Sequence, residues 1–452
     1  MTLRLHDTAL GRVAAIEPRD PGLLSMYVCG PTVYGDPHLG HGRFSLVFDV
    51  LRRYVEWTGM TVQYVSNITD IDDKIINRAN EEGRPSEDVA RQYEAAWYDV
   101  MGRLGVKKPD HDPHATAYVD QMVDLVARLV DTGAAYPTDD GVYLSVDSVP
   151  DYGLLARQPL DSLRAGARVD VGEQKRNPLD FALWKLAKPG EPEWRSPWGA
   201  GRPGWHTECV VMSLDLLGDG FDLHGGGQDL AFPHHENERA LAVAGGRRFA
   251  RRWAHNGFVV DPGGEKMSKS LGNFTTLAGL LDVADPRAYR LLILQSQWRA
   301  PVEVTPTSVA QAGDALARLD DFARRTADLP AAPADPPTLG RFRDRMDDDL
   351  DTPAVSALLF DTVRAANRAI DEGDATNAAT LAAAVREMAS AVGLELASAT
   401  EIPPEVTALV QQREDARKGR DFAAADALRG QVAAAGYTIE DTPQGPRVHR
   451  TP

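Results

Sequence analysis

Met26-Tyr27-Val28-Cys29-Gly30-Pro31-Thr32-Val33-Tyr34-Gly35-Asp36-Pro37-His38-Leu39-Gly40-His41 is the stretch that decides the fold. Its first three residues form an apolar run that reads as a strand. Small residues and prolines then interrupt the pattern. Beyond them Phe44, Val47, Phe48, Leu51 and Val55 recur at the spacing of a helix with one buried face. A strand that passes through a small-residue turn into a helix start offers backbone N–H groups and the positive end of a helix dipole, which suits a phosphate. His38 and His41 flank Gly40 and, three residues apart, fall on one side of the first helical turn, where both can donate to one anion.

A second segment far along the chain, Lys266-Met267-Ser268-Lys269-Ser270, sets two ammonium groups three residues apart with hydroxyls beside them. Singly, two histidines at a glycine turn and a basic loop are ordinary features of a protein surface. In this order, with the first at a strand-to-helix turn, they resemble the His-x-Gly-His and Lys-Met-Ser-Lys-Ser ATP-binding signatures of class I aminoacyl-tRNA synthetases.

Alternation of strands and helices extends outward from the first segment. Thr61-Val62-Gln63-Tyr64-Val65 reads as a strand, and helices pass through Ile75-Ile76 and through residues 93–104. Such alternation predicts a parallel sheet with crossover helices. A helix over 116–132 carries Val119, Met122, Val123, Val126 and Leu129 in register. Residues 133–203 are rich in Pro, Gly, Trp and Arg and read as an insertion. Alternation resumes with a helix over 208–217, a strand over 221–224, a helix over 233–243 and a strand over 254–260. Gly225-Gly226-Gly227 reads as a turn that allows close approach to backbone. From about residue 306 the pattern is helical and Ala-rich, broken by a Pro-rich linker at 331–337 and by Ile402-Pro403-Pro404. Two helices, the second ended by Gly436, and a short hairpin close the chain. The predicted class is α/β: a Rossmann-type doubly wound parallel sheet with an insertion, then a helical bundle and a small C-terminal α+β unit. The segments are 1–115, 116–203, 204–262, 263–305, 306–400 and 401–452.

With 452 residues the chain exceeds one typical domain, and 43% apolar with 25% charged residues is the balance of a soluble globular protein. No apolar run approaches the ~20 residues that span a bilayer, and the N-terminus lacks a signal-peptide core. Two cysteines, Cys29 and Cys209, exclude a disulfide framework. A cytoplasmic protein without membrane contact is expected. The net charge, 49 − 66 = −17, argues against a general polyanion binder. Any RNA contact is then local and salt-dependent.

Cys29 ends the first strand, Cys209 begins a helix, and His234 and Glu238 are four apart, so their side chains point the same way from one helix. Two thiolates, an imidazole and a carboxylate suit zinc. Two small buried thiols and an exposed polar helix explain the same residues, and spacing alone leaves both readings open.

End to end the chain resembles the cysteinyl-tRNA synthetase family. The resemblance is carried by Met26–Gly30, Asn67-Ile68-Thr69-Asp70-Ile71-Asp72-Asp73-Lys74, Gly201-Arg202-Pro203-Gly204-Trp205-His206, His224-Gly225-Gly226-Gly227, Phe232-Pro233-His234-His235-Glu236-Asn237-Glu238 and Lys266–Asn273. Leu39 stands where that family more often has isoleucine. The resemblance implies one Zn2+ held by Cys29, Cys209, His234 and Glu238, which receives the substrate thiolate. It implies an amino-acid pocket lined by Thr69, Trp205, His224 and Asp229, the last an acid suited to the substrate ammonium. ATP with Mg2+ would meet His38, Gly40, His41, Lys266, Ser268 and Lys269. The implied reaction activates L-cysteine to its adenylate and passes it to the 3′-terminal ribose of tRNA-Cys, at the 2′-hydroxyl by class I habit. By the same resemblance 1–115 and 204–262 are halves of the catalytic domain, 116–203 a connective insertion and 263–305 a stem-contact region. The bundle binds tRNA, and 401–452 forms an anticodon-binding unit.

Two other readings differ in their features. Mycothiol cysteine ligase shares the core and the adenylate chemistry but joins cysteine to an amino-sugar and lacks the last unit. A non-catalytic tRNA-binding relative would lose the histidines and lysines of the two motifs. The retained tail, His224 and Glu238 favour the synthetase, and the lack of an obvious interface helix favours a monomer.

Overall fold

The computed structural model describes residues 3–157, 174–260, 276–397, 403–442 and 445–450. A short antiparallel pair, β1 (Arg4–Asp7) and β2 (Arg12–Ala15), precedes β3 (Leu23–Val28), α1 (Leu39–Trp57), β4 (Thr61–Val65), α2 (Asp73–Glu82), α3 (Ser86–Arg103) and α4 (Val119–Asp131). Next come β5 (Ala135–Pro137), β6 (Gly141–Leu144), β7 (Phe181–Leu186) and β8 (Gly201–Pro203), which form an antiparallel sheet of their own. Then follow α5 (Trp205–Leu217), β9 (Leu223–Gly227), α6 (Glu236–Ala244) and β10 (Arg252–Asn256). The central sheet has the order β10-β9-β3-β4 and is parallel throughout, with Tyr27 opposite both Val65 and His224. β4 and β9 lie on opposite sides of β3, so the order reverses at the C-terminal end of β3, where open α/β sheets bind ligands.

The period-2 alternation of β3 divides the interior. Leu24, Met26 and Val28 face α1 and join Leu46, Phe48 and Leu51, whereas Tyr27 and Cys29 face the other way with Cys209, Val210 and Leu241. One strand end therefore serves two faces, the start of α1 on one and the cysteine pair on the other.

Beyond the sheet, β11 (Val259–Val260) pairs in parallel with β12 (Val302–Glu303) around α7 (Leu277–Leu281) and α8 (Pro286–Leu294). The helices α9 (Pro306–Arg325), α10 (Pro336–Asp347), α11 (Thr352–Asp371) and α12 (Ala375–Ala391) complete the bundle. Phe342, Met346, Leu359, Val385 and Met388 belong to the same buried cluster as α1. Tyr54 of α1 donates to Asp347 at 2.6 Å and Trp57 to Glu387 at 3.0 Å. The C-terminal unit, α13 (Pro404–Lys418), α14 (Phe422–Ala434) and the hairpin β13 (Tyr437–Thr442) and β14 (Gly445–Arg450), keeps a separate core of Val406, Val432 and Ile439.

Several predicted boundaries shift, each for a local reason. The helix expected over 116–132 starts at Val119 after a tight turn over Ala115–Tyr118, because Asp70 accepts both the N–H of Thr116 (3.0 Å) and its hydroxyl (2.5 Å). The helix expected from 208 starts at Trp205, which puts Cys209 in its second turn. The strand expected over 221–224 runs from Leu223 to Gly227 and absorbs the three glycines read as a turn. A Cβ at Gly225 would lie 2.4 Å from Phe48 and one at Gly226 2.9 Å from His235, so glycine is what lets α1 and α6 close on this strand. The helix expected from 233 is regular only from Glu236, because Phe232 is extended. The strand expected over 254–260 is two, β10 and β11, split at Gly257, whose Cβ would meet the Arg299 carbonyl at 2.4 Å. Pro336 and Pro337, read as linker, form the first turn of α10, where the missing N–H costs nothing, and Asp335 caps it.

Candidate metal and nucleotide site

Cys29 Sγ at the end of β3 lies 3.7 Å from Cys209 Sγ of α5, 3.6 Å from His234 Nε2 and 3.4 Å from Glu238 Oε1 of α6. Cys209 Sγ is 3.7 Å from His234 Nε2, and His234 Nε2 is 2.7 Å from Glu238 Oε1. All four side chains are buried, and their donor atoms converge into one group that could hold a metal ion. A second set, Cys29, His224, His235 and Glu238, overlaps it through the same thiol and carboxylate. Burial, with Cys209 and Glu238 beside it, pushes the Cys29 thiol well up. Glu238 goes the other way: burial alone would raise it, but the rings of His234 and His224 hold it well below the usual carboxylate range. Such a cluster keeps protons where a cation would replace them.

Around the donors lies a layer that spacing did not reveal. Glu238 Oε2 meets His224 Nε2 at 2.5 Å, and His224 stacks on Trp253 with ring centroids 4.9 Å apart. His224 thus sits fully buried behind the carboxylate. His206 Nδ1 lies 2.8 Å from His234 Nδ1, and Asn237 spans His206 Nε2 (3.1 Å) and the Tyr152 hydroxyl (2.5 Å). Burial and the neighbouring His234 pull His206 well below its ordinary value, so it is neutral. His235 Nδ1 meets His255 Nε2 at 2.8 Å, and burial brings His255 down to about 3. A run of hydrogen bonds ties the two thiol-bearing segments together. The Gly30 N–H donates to Asn67 Oδ1 (2.9 Å), Asn67 Nδ2 to Thr69 Oγ1 (3.1 Å), and the Thr69 hydroxyl to Glu208 Oε2 (3.0 Å). His206 was visible in the sequence beside Trp205, but only the fold turns it toward His234.

The other residues expected to line the amino-acid pocket lie at different depths. The Trp205 ring, at the start of α5, stacks on His234 with centroids 3.7 Å apart and 18° between planes. Thr69 is buried, with its hydroxyl on Glu208, and Asp229 stands exposed in the short turn after β9.

At the start of α1, His38 and His41 cap each other. The His41 N–H donates to His38 Nδ1 (3.2 Å) and the His38 N–H to His41 Nδ1 (3.1 Å), while the rings stack 3.6 Å apart. With both Nδ1 atoms accepting, each neutral ring carries its proton on Nε2, as a donor. His41 packs edge-on against Trp97 and Phe44, and burial, then the nearby charge of His38, pulls it well below its ordinary value. Gly40 leaves room for the pair, since a Cβ there would lie 3.0 Å from His38. Lys266, Ser268 and Lys269 lie outside the described residues.

A doubly wound parallel sheet with this capped histidine turn at its switch point is the catalytic fold of the class I aminoacyl-tRNA synthetases, and the chain is a ligase of that class. Residues 15–314 match the family described as tRNA synthetases class I (C) catalytic domain, 341–397 the DALR domain, and 399–448 the cysteinyl-tRNA ligase anticodon binding domain. Within the class the chain belongs to the cysteine–tRNA ligase family. It is 46% identical to the cysteine–tRNA ligase of Halorhodospira halophila over 99% of this chain and 100% of that one, and 44% identical to that of Trichlorobacter lovleyi over 98% and 99%. Among solved structures it is similar in fold to Mycobacterium tuberculosis methionyl-tRNA synthetase in complex with methionyl-adenylate (TM-score 0.61, 15% identity, 82% of this chain and 89% of that). A LeuRS of Agrobacterium radiobacter K84 in a ternary complex gives a TM-score of 0.63 at 12% identity, with 84% of each chain covered. No helix among the described residues is long and apolar enough to cross a membrane.

Proposed function

We propose that the chain activates L-cysteine with ATP to cysteinyl-adenylate and pyrophosphate, then transfers the cysteine to the 3′-terminal ribose of tRNA-Cys. The observation that carries the proposal is the spacing of the four buried donors. Bonds of about 2.3 Å to sulfur and about 2.0 Å to nitrogen or oxygen at tetrahedral angles set ligand atoms about 3.3–3.8 Å apart. Four sulfur separations lie at 3.4–3.7 Å, the hydrogen-bonded His234–Glu238 pair is closer at 2.7 Å, and all four donor atoms lie within 4.8 Å of one another. Cys29, Cys209, His234 and Glu238 would hold zinc, which supplies a soft Lewis acid that prefers a thiolate to a hydroxyl.

Selection is needed because a pocket built on shape rejects an isostere with an altered group by only about 10². Serine is such an isostere of cysteine. Trp205, stacked on His234, and Thr69 would line the pocket, His224 would steady Glu238, and the exposed Asp229 suits the substrate ammonium. No side chain need act as a nucleophile, because the substrate carboxylate attacks the α-phosphorus. The residues of the two motifs align the phosphates and neutralise charge. His38 and His41 donate from Nε2 near the α-phosphate, and Lys266 and Lys269, with Ser268, meet the departing pyrophosphate that Mg2+ accompanies. The helical bundle and the C-terminal unit would hold tRNA-Cys against a single chain. The C-terminal unit also argues against an amino-sugar acceptor.

The test is transfer of labelled cysteine to total tRNA beside cysteine-dependent ATP–pyrophosphate exchange. Charging with exchange is expected. Exchange without charging would point to another acceptor, and neither signal from folded, metal-loaded protein would sink the proposal.

A further inference from the structure

Arg43, two residues beyond His41, has no exposed surface. Its guanidinium reaches across the α1 face of the sheet to main-chain carbonyls alone: Nη1 donates to Phe258 (2.5 Å), and Nη2 to Trp298 (3.2 Å), Gln297 (3.4 Å) and Ala300. Among the described residues no carboxylate pairs with it and its Nε has no partner. Burial pulls it down to about 10, which leaves it a cation at neutral pH. A buried cation without an acid is costly, and packing alone would be served by an apolar side chain.

Its acceptors have a common location. The Phe258 carbonyl also accepts the Val302 N–H (2.9 Å), and the Trp298 carbonyl accepts the Gly257 N–H (3.0 Å), so Arg43 grips the knot where β11 and β12 meet. The chain continues from β11 into residues 261–275, which carry Lys266 and Lys269. Beyond that segment, the Leu277 N–H donates to the Pro37 carbonyl (2.9 Å), and the Leu277 side chain packs so closely on Gly42 that a Cβ there would lie 2.7 Å away. The described residues on either side of 261–275, β11 before it and Leu277 after it, are thereby held by the turn and helix that bear His38 and His41.

We propose that Arg43 is a positioning residue for ATP: it fixes the junction of β11 and β12 against the helix that bears His38 and His41. The inference rests on the reading of these two motifs as nucleotide-binding. Misplacement by about 1 Å at a reacting centre costs on the order of 10²-fold in rate, so a loosened Arg43 has a measurable effect.

The experiment compares full-length wild type, Arg43→Lys, Lys269→Ala and the double variant by ATP–pyrophosphate exchange, with metal content and melting temperature measured in parallel. Arg43→Lys keeps the charge but cannot span four carbonyls. The expected result is a fall in kcat/KM for ATP of about tenfold or more, with KM for cysteine and metal content unchanged. The double variant should lose less than the product of the single losses, because by this proposal both act on the same ATP-dependent step. A folded Arg43→Lys with wild-type ATP parameters would overturn the proposal. So would an equal loss of cysteine and ATP parameters in step with melting, which marks a purely structural role. Should Arg43→Lys not fold, Arg43→Gln is measured in its place, and failure of both to fold likewise assigns Arg43 to structure. Lys269→Ala with undiminished exchange would instead refute the nucleotide reading of the second motif, and this inference with it.

Discussion

His206 and His234 face each other with their Nδ1 atoms 2.8 Å apart, while the Nε2 of His234 faces the two thiols. A metal on Nε2 of His234 leaves the ring proton on Nδ1, where His206 accepts it. Asn237 and Tyr152 hold His206 in turn. Partners in this position orient a ligand ring, and their loss typically costs 10–100-fold in metal affinity. His206→Ala should therefore bind zinc about 10–100-fold more weakly while still folding, as read by competition with a chromophoric chelator. Unchanged affinity would mean that Trp205 stacking alone orients His234.

The mutual cap of His38 and His41 predicts a pH profile. Protonation of His41 at Nδ1 would break its bond from the His38 N–H, and burial opposes the charge, so its folded value lies well below 6.5. The sign follows: His41 stays a neutral Nε2–H donor at every pH above its ordinary value, and gains a proton only well below it. ATP–pyrophosphate exchange should show no limb from His41 between about pH 6 and 8. A rise or fall centred near 6.5 that disappears in His41→Asn would contradict this.

Gly30 shows how closely the cysteine segment is packed. A Cβ there would lie 1.7 Å from the Asn67 carbonyl, a backbone atom that cannot swing aside. Gly30→Ala should cost about 1–3 kcal/mol in denaturant unfolding, the range of overpacked sites. Because the Gly30 N–H also anchors Asn67, metal content should fall as well. Full metal retention at wild-type stability would show that β3 and the Asn67 turn can separate.

The legibility of these features in the sequence followed the range of the interaction. Local patterns were readable: the apolar alternation of β3, the helical spacing in α1, the proline and glycine punctuation of the C-terminal unit. Boundaries failed where a distant group intervened, as the Asp70 carboxylate does at the start of α4 or the Arg299 main-chain carbonyl at Gly257. Cys29, Cys209, His234 and Glu238 span about two hundred residues, and spacing alone left them ambiguous between ligands and buried thiols. Family resemblance selected them, and the fold then brought their donor atoms together. The roles of His206 and Glu208 were out of reach, since nothing in their spacing tells which way α5 presents them, nor does the position of Asn67 just after β4 show that it meets Gly30.

The separate core of the C-terminal unit makes the last prediction sharp. Val406, Val432 and Ile439 pack among themselves, and Arg413 reaches Asp441 within the same unit through two contacts of 2.9 Å. The two large clusters that hold the sheet, the donor group and α1 contain none of these residues. Ending the chain at residue 400 should therefore leave the main unfolding transition and cysteine-dependent pyrophosphate exchange near wild type. Charging of tRNA should weaken, through a higher KM for tRNA, because an RNA contact is lost and no reacting group is. The loss should shrink at low ionic strength, where the remaining phosphate contacts strengthen. Equal losses of exchange and charging would show that the unit supports the catalytic fold, whereas unimpaired charging would remove it from tRNA recognition.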